Sequence, residues 1–489
     1  MKELLGLLTF CIVVFAAKSQ TEVDAVRLSQ RNLNGSARFV GLGGAMLATG
    51  GDLSTLSYNP AGLGILTKTD LSGSLAIDVF GSETSHYGNS VYDSDAKFSI
   101  DHIGIGGPSN VNTKGKWGGV NFGIAYTKQK SFNRTIELEG VNTESTLLDA
   151  FYSLLNTNSG NYDFSNPPNA YPYSVDLAWN TLLVDTFNNQ YYTQINTRET
   201  NQRKRISQSG SLNELNIGGA INYDHKVYLG ASVNLQSLEY FENNILIETV
   251  SENDTLTTLE DYSFEESLEI TGSGVNLRVG AIFRVSDYLR LATSIQTPTL
   301  FNLTDQFDAI MVANYASATF EALPPSPLYF EYRFVGPWRL GFGGTALFGK
   351  SGHFAVDYEY IDNSIGSFGQ KNQYPWNTQG VNNLIGNNLR ASHNVRSGIE
   401  YRFGNIMVRG GFNWAQNPYK NNLTIKNGFR STSFGGGYKS EGWYLDFVIQ
   451  NTVFETFDYY LYNPSLANVQ PTSISNRDLS VMFTFGIRY

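Results

Sequence analysis

The segment GLGGAMLATGGD, from Gly41 to Asp52, holds five glycines and is the first place in the chain where the residue types suggest chemistry. Glycine-rich loops present backbone N–H groups to phosphate, so a nucleotide site is one interpretation. A dinucleotide fingerprint spaced as G-x-G-x-x-G would need glycine at position 46, which is Met. We therefore interpret these glycines as a small, bendable stretch of chain.

Histidines are the next candidates, because imidazole binds metals and haem iron and acts as a general base. The five histidines form no H-x-x-x-H or H-E-x-x-H group; they are His86, His102, His225, His353 and His393. No G-x-S-x-G nucleophile elbow is present either. We expect no catalytic, metal or cofactor site, and hence a protein that is not an enzyme.

The first residues of the chain predict export from the cytoplasm. Lys2 precedes an apolar run from Leu4 to Ala17, and small residues follow, so residues 1–19 predict a signal peptide. Cys11 is the only cysteine, and it lies inside that peptide. The mature chain then has no disulfide and no thiol nucleophile. The formal net charge of −10 argues against nucleic acid as a partner.

Alternation of apolar and polar residues predicts the fold class. In DLSVMFTFGIRY, the end of the sequence, every second residue from Leu479 to Tyr489 is apolar. A strand that ends in this way on an aromatic residue is typical of outer-membrane barrels. We predict an all-β protein, a 14-stranded antiparallel transmembrane β-barrel, with strands near 68–80, 97–106, 117–128, 210–223, 226–248, 262–285, 287–303, 328–346, 352–361, 390–403, 405–414, 430–439, 442–452 and 477–489.

The connections between these strands fall into two kinds. Few residues follow most even-numbered strands, whereas long extracellular loops are expected at 129–209, 304–327, 362–389 and 453–476. Two segments in the first loop, 146–155 and 175–187, have helical spacing. Their apolar side chains either pack together as a lid or form a landing site for an apolar ligand. The candidate capture residues are Leu147, Leu148, Phe151, Leu155, Leu183 and Phe187.

The stretch SARFVGLGGAMLATGGDLSTLSYNPAGLGIL, from Ser36 to Leu66, resembles the opening of the FadL/TodX family of outer-membrane transporters for long-chain fatty acids and aromatic hydrocarbons. Further similarity, in segments such as SFNRTIEL and PWRLGFGGTALFGKSGHFAVDYEY, covers nearly the whole mature chain. The resemblance implies a 14-stranded barrel at 67–489 whose lumen holds an amino-terminal hatch at 20–66. The hatch or gate residues that it implies are Gly43, Gly44, Asp52, Tyr58, Asn59, Pro60, Ala61 and Gly62.

In that family the ligand leaves sideways, beside a kinked third strand. The third strand here, WGGVNFGIAY, contains Gly118, Gly119 and Gly123. Glycine inside a strand often marks a bulge or bend, which favours a lateral opening at this point. The alternative is that these glycines face a crowded lumen.

The resemblance implies a channel for passive uptake of hydrophobic small molecules in the outer membrane of a Gram-negative bacterium. The expected partners are the hydrophobic ligand, outer-membrane lipid, and barrel-assembly machinery that recognises the strand ending at Tyr489. One alternative is a barrel that serves as a scaffold for protein partners in a secretion system, as PorV-type proteins do. Another is a haemin receptor, to which the histidine pattern gives little support.

Overall fold

The computed structural model describes residues 21–109, 116–157, 171–188, 190–371, 378–420 and 428–489. The expected signal peptide, residues 1–19, lies outside the described residues. The helices are α1 (Glu22–Ser29), α2 (Ala37–Gly41), α3 (Leu147–Thr157), α4 (Val175–Asn180) and α5 (Thr378–Asn388), with short 3₁₀ helices at Leu53–Ser57, Pro60–Ile65 and Asn363–Ile365. The strands are β1 (Asp70–His86), β2 (Asn89–Pro108), β3 (Trp117–Ser131), β4 (Arg134–Asn142), β5 (Val184–Phe187), β6 (Gln190–Thr193), β7 (Thr200–Tyr223), β8 (Val227–Val250), β9 (Leu259–Arg284), β10 (Leu289–Gln296), β11 (Leu300–Tyr315), β12 (Ala318–Ala322), β13 (Leu328–Val335), β14 (Arg339–Leu347), β15 (Gly352–Asp362), β16 (Ser367–Gln370), β17 (Ala391–Phe403), β18 (Ile406–Ala415), β19 (Phe429–Lys439), β20 (Trp443–Tyr459) and β21 (Thr472–Arg488).

All of these strands except β5 and β6, which pair only with each other, form one closed antiparallel barrel, which confirms the predicted fold class. Four barrel strands are interrupted and consist of several segments each: β3 with β4, β10 with β11, β12 with β13 and β14, and β15 with β16. With each interrupted strand counted once, fourteen barrel strands pair in chain order, and β21 pairs with β1 to close the ring. The seam ends in two backbone hydrogen bonds, from Thr69 N to Tyr489 O (3.0 Å) and from Tyr489 N to Thr69 O (3.1 Å). A closed ring has no first or last strand, so no strand lies at a free edge over its whole length, as a bilayer requires.

The outward face of the barrel carries an apolar belt. On β7 and β8, Leu215, Ile217, Leu229, Val233 and Leu235 are 38–45% exposed, although leucine, isoleucine and valine are usually buried in soluble proteins. The inward neighbours are polar and fully buried, among them Glu214, Asn216 and Asn234. Apolar residues outside and polar residues inside are the arrangement of a barrel that faces lipid.

Several strands run further than the sequence predicted. β7 begins at Thr200, where a loop was expected up to 209, and β11 continues to Tyr315 inside the expected loop 304–327. The outward residues of the β7 extension are polar, among them Asn201, Arg203 and Arg205. Apolar alternation stops where the strands rise above the apolar belt, but backbone pairing continues, so the pattern underestimates their length. β20 likewise extends to Tyr459.

The expected helices of the outer loop form only in part. The first is present as α3, whereas the second was expected to reach residue 187 and ends at Asn180. Leu182 has a φ of 61°, in the left-handed region, which stops the helix. The next residues then pair as the hairpin of β5 and β6. Within the described ranges, no helix combines the length and the apolar character needed to cross a bilayer.

Candidate functional site

Residues 21–66, here called the amino-terminal segment, pack against the inward faces of the barrel strands. Their backbone is organised by side-chain caps at three short helices. Asp52 begins one of them and accepts hydrogen bonds from Ser54 N (2.9 Å) and Ser36 Oγ (2.8 Å). Burial opposes ionisation of Asp52, but the positive charges of Arg38 and His102 and these hydrogen bonds outweigh burial and lower its pKa.

Asn59 and Pro60 begin the next short helix. Asn59 Oδ1 accepts from Ala61 N (3.1 Å), while its Nδ2 donates to Leu47 O (2.8 Å) and to Ala281 O of β9 (3.4 Å). Proline suits the first helical position, where its missing N–H would have had no partner within the helix. The Asn59 side chain thus stabilises its own turn and links that turn to a neighbouring turn of the segment and to the barrel wall.

Four glycines of the barrel wall receive the segment, and we call Gly230, Gly280, Gly398 and Gly411 the seat glycines. A β-carbon at Gly230 would lie 2.3 Å from Ala61 N, and one at Gly280 would lie 1.9 Å from Asn59 Oδ1. A β-carbon at Gly398 would lie 2.3 Å from Leu42 O, and one at Gly411 would lie 2.0 Å from Gly43 N. No side chain fits in these gaps, so glycine allows the two backbones to touch.

The glycines of the segment itself have two uses. Gly43 and Gly44 have φ values of +60° and +77°, a left-handed turn that side chains rarely adopt. Gly62 lies against Thr55, where an added β-carbon would be 2.7 Å from the hydroxyl oxygen. The need for tight turns and close packing explains why this stretch is rich in glycine, the feature that also suggests a phosphate-binding loop.

Charged and aromatic side chains complete the contact between segment and wall. Arg38 Nε lies 3.1 Å from a carboxylate oxygen of Glu400 on β17, which also accepts from Arg409 Nε at 2.6 Å. The centre of the Tyr58 ring lies 4.5 Å from the centre of the Phe39 ring and 5.2 Å from the Arg396 guanidinium. Burial raises the pKa of the Tyr58 phenol. The hatch residues implied by the sequence therefore lie together inside the barrel, in contact with its wall.

The helix α1 occupies the most aromatic part of the lumen. Ala25, Val26 and Leu28 belong to a buried cluster whose rings are Phe132, Tyr240, Phe301, Tyr332, Phe334, Phe368 and Tyr419. The Arg27 guanidinium lies 4.1 Å from the centre of the Tyr240 ring. Because aromatic side chains bury large apolar areas, this cluster gives the lumen around α1 an apolar lining.

The third barrel strand is irregular at two places. Its register against β7 shifts between Trp117 and Val120, across Gly118 and Gly119, and again at Gln129. Each shift is a β-bulge, which bends a strand. The β-carbon position of Gly123 lies 3.2 Å from Leu63 and 3.3 Å from Leu56 of the amino-terminal segment. Gly123 thus faces a crowded lumen, whereas Gly118 and Gly119 lie at a bulge.

The hydrogen-bonded ladder between β2 and β3 stops partway up the barrel. Its pairs run from Pro108↔Asn121 to His102↔Thr127. Above that point, β2 pairs with β1 and β4 pairs with β7, and in the described strands β2 and β4 form no ladder with each other. The second bulge of β3, at Gln129, lies just past the last pair. The backbone ladder is therefore interrupted beside the third strand, where β4 lies close to β1 and β2 and is joined to them by side-chain hydrogen bonds such as that from Thr84 Oγ1 to Glu137 O (2.6 Å).

The expected capture residues lie in what we call the outer cap, formed by α3, α4 and the chain to Ile195. Five of them, Leu147, Leu148, Phe151, Leu155 and Leu183, are at most 2% exposed and pack on the inner faces of β8, β9 and β11. Phe187 is 71% exposed. The sequence allowed either a packed lid or a landing site for an apolar ligand, and the burial of these five residues fits the packed lid. Glu248 on β8 accepts from the first N–H of α3, that of Leu147, at 3.2 Å.

Among the described residues, no cluster of three or more histidine or acidic side chains has an arrangement that could hold a metal ion. A short motif that sequence reasoning overlooked, GTALFGKS at Gly344–Ser351, has the spacing of a phosphate-binding loop. It forms β14 and the turn into β15, so a strand follows where such a loop needs a helix. The seat glycines were also missed, although glycines inside alternating strands are a sequence signal of close backbone approach.

The closed barrel and the apolar belt define a class, that of transmembrane β-barrels, and the amino-terminal segment packs against the inward faces of the strands. Several solved structures share this fold. In each comparison below, the matched region covers 94% of this chain and 99% of the solved chain. These structures are the toluene transporter TodX of Pseudomonas putida (14% identity, TM-score 0.51), the toluene transporter TbuX of Ralstonia pickettii (16%, 0.51) and a FadL homologue of Pseudomonas aeruginosa (10%, 0.57). No protein-family model and no curated protein matches the sequence. The structures agree with the resemblance seen at Ser36–Leu66, and at these identities they establish the fold.

Proposed function

We propose that this protein is an outer-membrane channel of a Gram-negative bacterium for the passive uptake of hydrophobic small molecules. The observation that carries the proposal is the fold shared over nearly the full chain with two toluene transporters and a FadL homologue. The channel needs no catalysis, cofactor or metal, because the gradient of the ligand drives the flux. Barrel-assembly machinery would recognise β21, the strand that closes the ring.

The proposed route begins at the outer cap and continues to the aromatic cluster around α1. There a ligand would replace the apolar contacts of Val26 and Leu28. It would then leave sideways into the bilayer, where the ladder between β2 and β3 stops at Thr127. Lateral exit is favourable because release into water would re-expose apolar surface at about 25 cal/mol per Å².

The second bulge of β3 offers a direct test of this route. Deleting Gln129 removes the extra residue and restores regular pairing of β3 with β7, which straightens the strand beside the opening. We expect uptake of radiolabelled toluene to fall on the order of tenfold, since a regular third strand closes the lateral path. The measurement is initial uptake by cells of a Gram-negative host that lacks a channel of this fold.

The matched control is Gln129→Ala, which removes the same side chain and keeps the bulge. It should retain uptake close to that of the native chain. If the native protein takes up toluene no faster than empty-vector cells, and detergent-purified protein yields no apolar molecule on lipid extraction and mass spectrometry, the transport proposal fails. Co-purification of secreted proteins in that case would favour the scaffold alternative.

A further inference from the structure

The ladder between β2 and β3 ends in a charged cluster. The next rung after His102↔Thr127 would pair Asp101 with Lys128, and their side chains meet as an ion pair. Asp101 is itself a bulge residue, because the register of β1 against β2 shifts between Ser74 and Leu75 and leaves it without a partner on β1. An ion pair thus stands where the backbone ladder stops.

Two further side chains complete this charged cluster, defined as Asp78, Ser99, Asp101 and Lys128. Lys128 Nζ lies 3.3 Å from Asp78 Oδ2 and donates to Ser99 Oγ at 2.6 Å. Ser99 Oγ donates in turn to Asp101 Oδ1 at 2.7 Å. The ammonium of Lys128 is therefore shared by two carboxylates and a hydroxyl, and its side chain is only 7% exposed.

The charged cluster lies at the height of the apolar belt. Leu75 and Ile77 on β1 and Ile100 and Ile103 on β2 flank it, and they are 45–51% exposed on the outward face. Ionisable side chains at membrane depth are costly unless they are paired, and they often mark functional sites. This cluster borders the lateral opening, where a ligand leaving the lumen would pass.

A cavity inside the barrel leads to the charged cluster. It reaches from Leu33 of the amino-terminal segment to Asp78 and to Ser131 at the end of β3, and Phe80, Phe429 and Phe454 line it. The charged side chains in its lining are carboxylates, those of Asp78 and Asp478, and Arg134 binds Asp478 at 2.8 Å. The cavity lining thus combines aromatic rings with uncharged polar groups such as Asn32, Gln450 and Thr452, and the carboxylate of Asp78 lies at the end next to the charged cluster.

We propose that the charged cluster is a charge filter at the lateral opening, which passes uncharged hydrophobic molecules and rejects anionic amphiphiles. This inference rests on the proposed function. An anionic head group would be repelled by Asp78 and Asp101, and the cation of the cluster is already engaged by both. An uncharged ligand does not meet this repulsion.

The test compares two ligands of equal chain length, 1-decanol and decanoate, at pH 8, where decanoate is ionised. Initial uptake of each radiolabelled compound is measured in host cells, and uptake by empty-vector cells is subtracted. We expect the native channel to take up decanol at least tenfold faster than decanoate. The variant Asp78→Asn with Asp101→Asn should narrow that ratio severalfold, and Lys128→Met, which leaves the carboxylates uncompensated, should widen it.

The matched control is Glu83→Gln with Asp95→Asn, which removes the same charge from the same two strands away from the cavity. Heat-dependent migration on gels shows whether each barrel has folded, and the single variants replace the double one if it has not. Equal uptake of both ligands by the native channel, or an unchanged ratio in the folded variants, overturns the charge filter alone. Uptake of neither ligand overturns the proposed function instead.

Discussion

The amino-terminal segment and the outer cap both fill the barrel, but different forces hold them. The segment touches the wall through glycine backbones, hydrogen bonds and the pair of Arg38 with Glu400. The cap is held by apolar side chains such as Leu148 and Phe151, which are fully buried against strand extensions above the belt. Close backbone contact is sensitive to a single added atom, whereas apolar packing tolerates exchange of similar side chains. The amino-terminal segment and its contacts with the wall are thus the part of the lumen that tolerates the smallest change in side-chain size.

Deleting residues 21–64 is the strongest way to separate the two regions. The barrel should still insert, because every barrel strand begins after Thr69, but its lumen should open at the height of the belt. We expect the swelling rate of proteoliposomes in small sugars to rise on the order of tenfold or more, as for an unplugged barrel. Permeability equal to that of the full chain would assign closure to the cap.

Phe151→Ala should loosen the cap and leave the segment in place. Removing a fully buried ring from this cluster should cost about 3–5 kcal/mol in the local free energy of unfolding. Amide hydrogen exchange in α3 would report the loss, while sugar permeability stays at the native level. Phe151→Leu is the matched control, and faster exchange in residues 59–65 would contradict the independence of the two regions.

Gly230→Ala tests the contact between the amino-terminal segment and the barrel wall by adding a single methyl group. The new β-carbon would lie 2.3 Å from Ala61 N and 2.4 Å from Pro60 C, so the segment or the strand has to move. We expect a loss of about 1–3 kcal/mol, measured by hydrogen exchange of residues 59–65. Gly119→Ala is the control, because no heavy atom lies within 4 Å of its β-carbon position. Equal effects of the two substitutions would mean that Gly230 is not a seat.

Asp52→Asn should have the smallest effect of these changes on the stability of the amino-terminal segment. It should also change how that stability depends on pH. The folded pKa of Asp52 lies below the ordinary value of 3.8, so its ionised form stabilises the segment above that value. This contribution is lost as the pH falls through the folded pKa. We expect the native segment to lose about 1 kcal/mol more than the variant between pH 5 and strongly acidic pH. Hydrogen exchange at residues 36–57 in both proteins measures it, and parallel pH profiles would exclude the role.

The barrel could be predicted from the sequence because lipid imposes a regular alternation on every strand at the height of the belt. Outside the belt that constraint ends, and so the extensions of β7 and β11 were expected as loops. The seat glycines could not be assigned, because only the folded ring brings Gly230 and Gly411 against residues early in the chain. Alternation also gives no sign of the Asp101 and Lys128 pair, since Asp101 is a bulge residue and Lys128 lies next to the bulge at Gln129, and a bulge reverses the face of the side chains that follow it.

The seam between β1 and β21 has a consequence for how the molecule is made. The amino-terminal segment emerges from the ribosome before the ring exists, and the ring closes only when β21 pairs with β1. The amino-terminal part of the lumen contents is therefore synthesised first and its enclosure last. Unless the segment already lies among the strands when β21 pairs with β1, the ring closes around an open lumen.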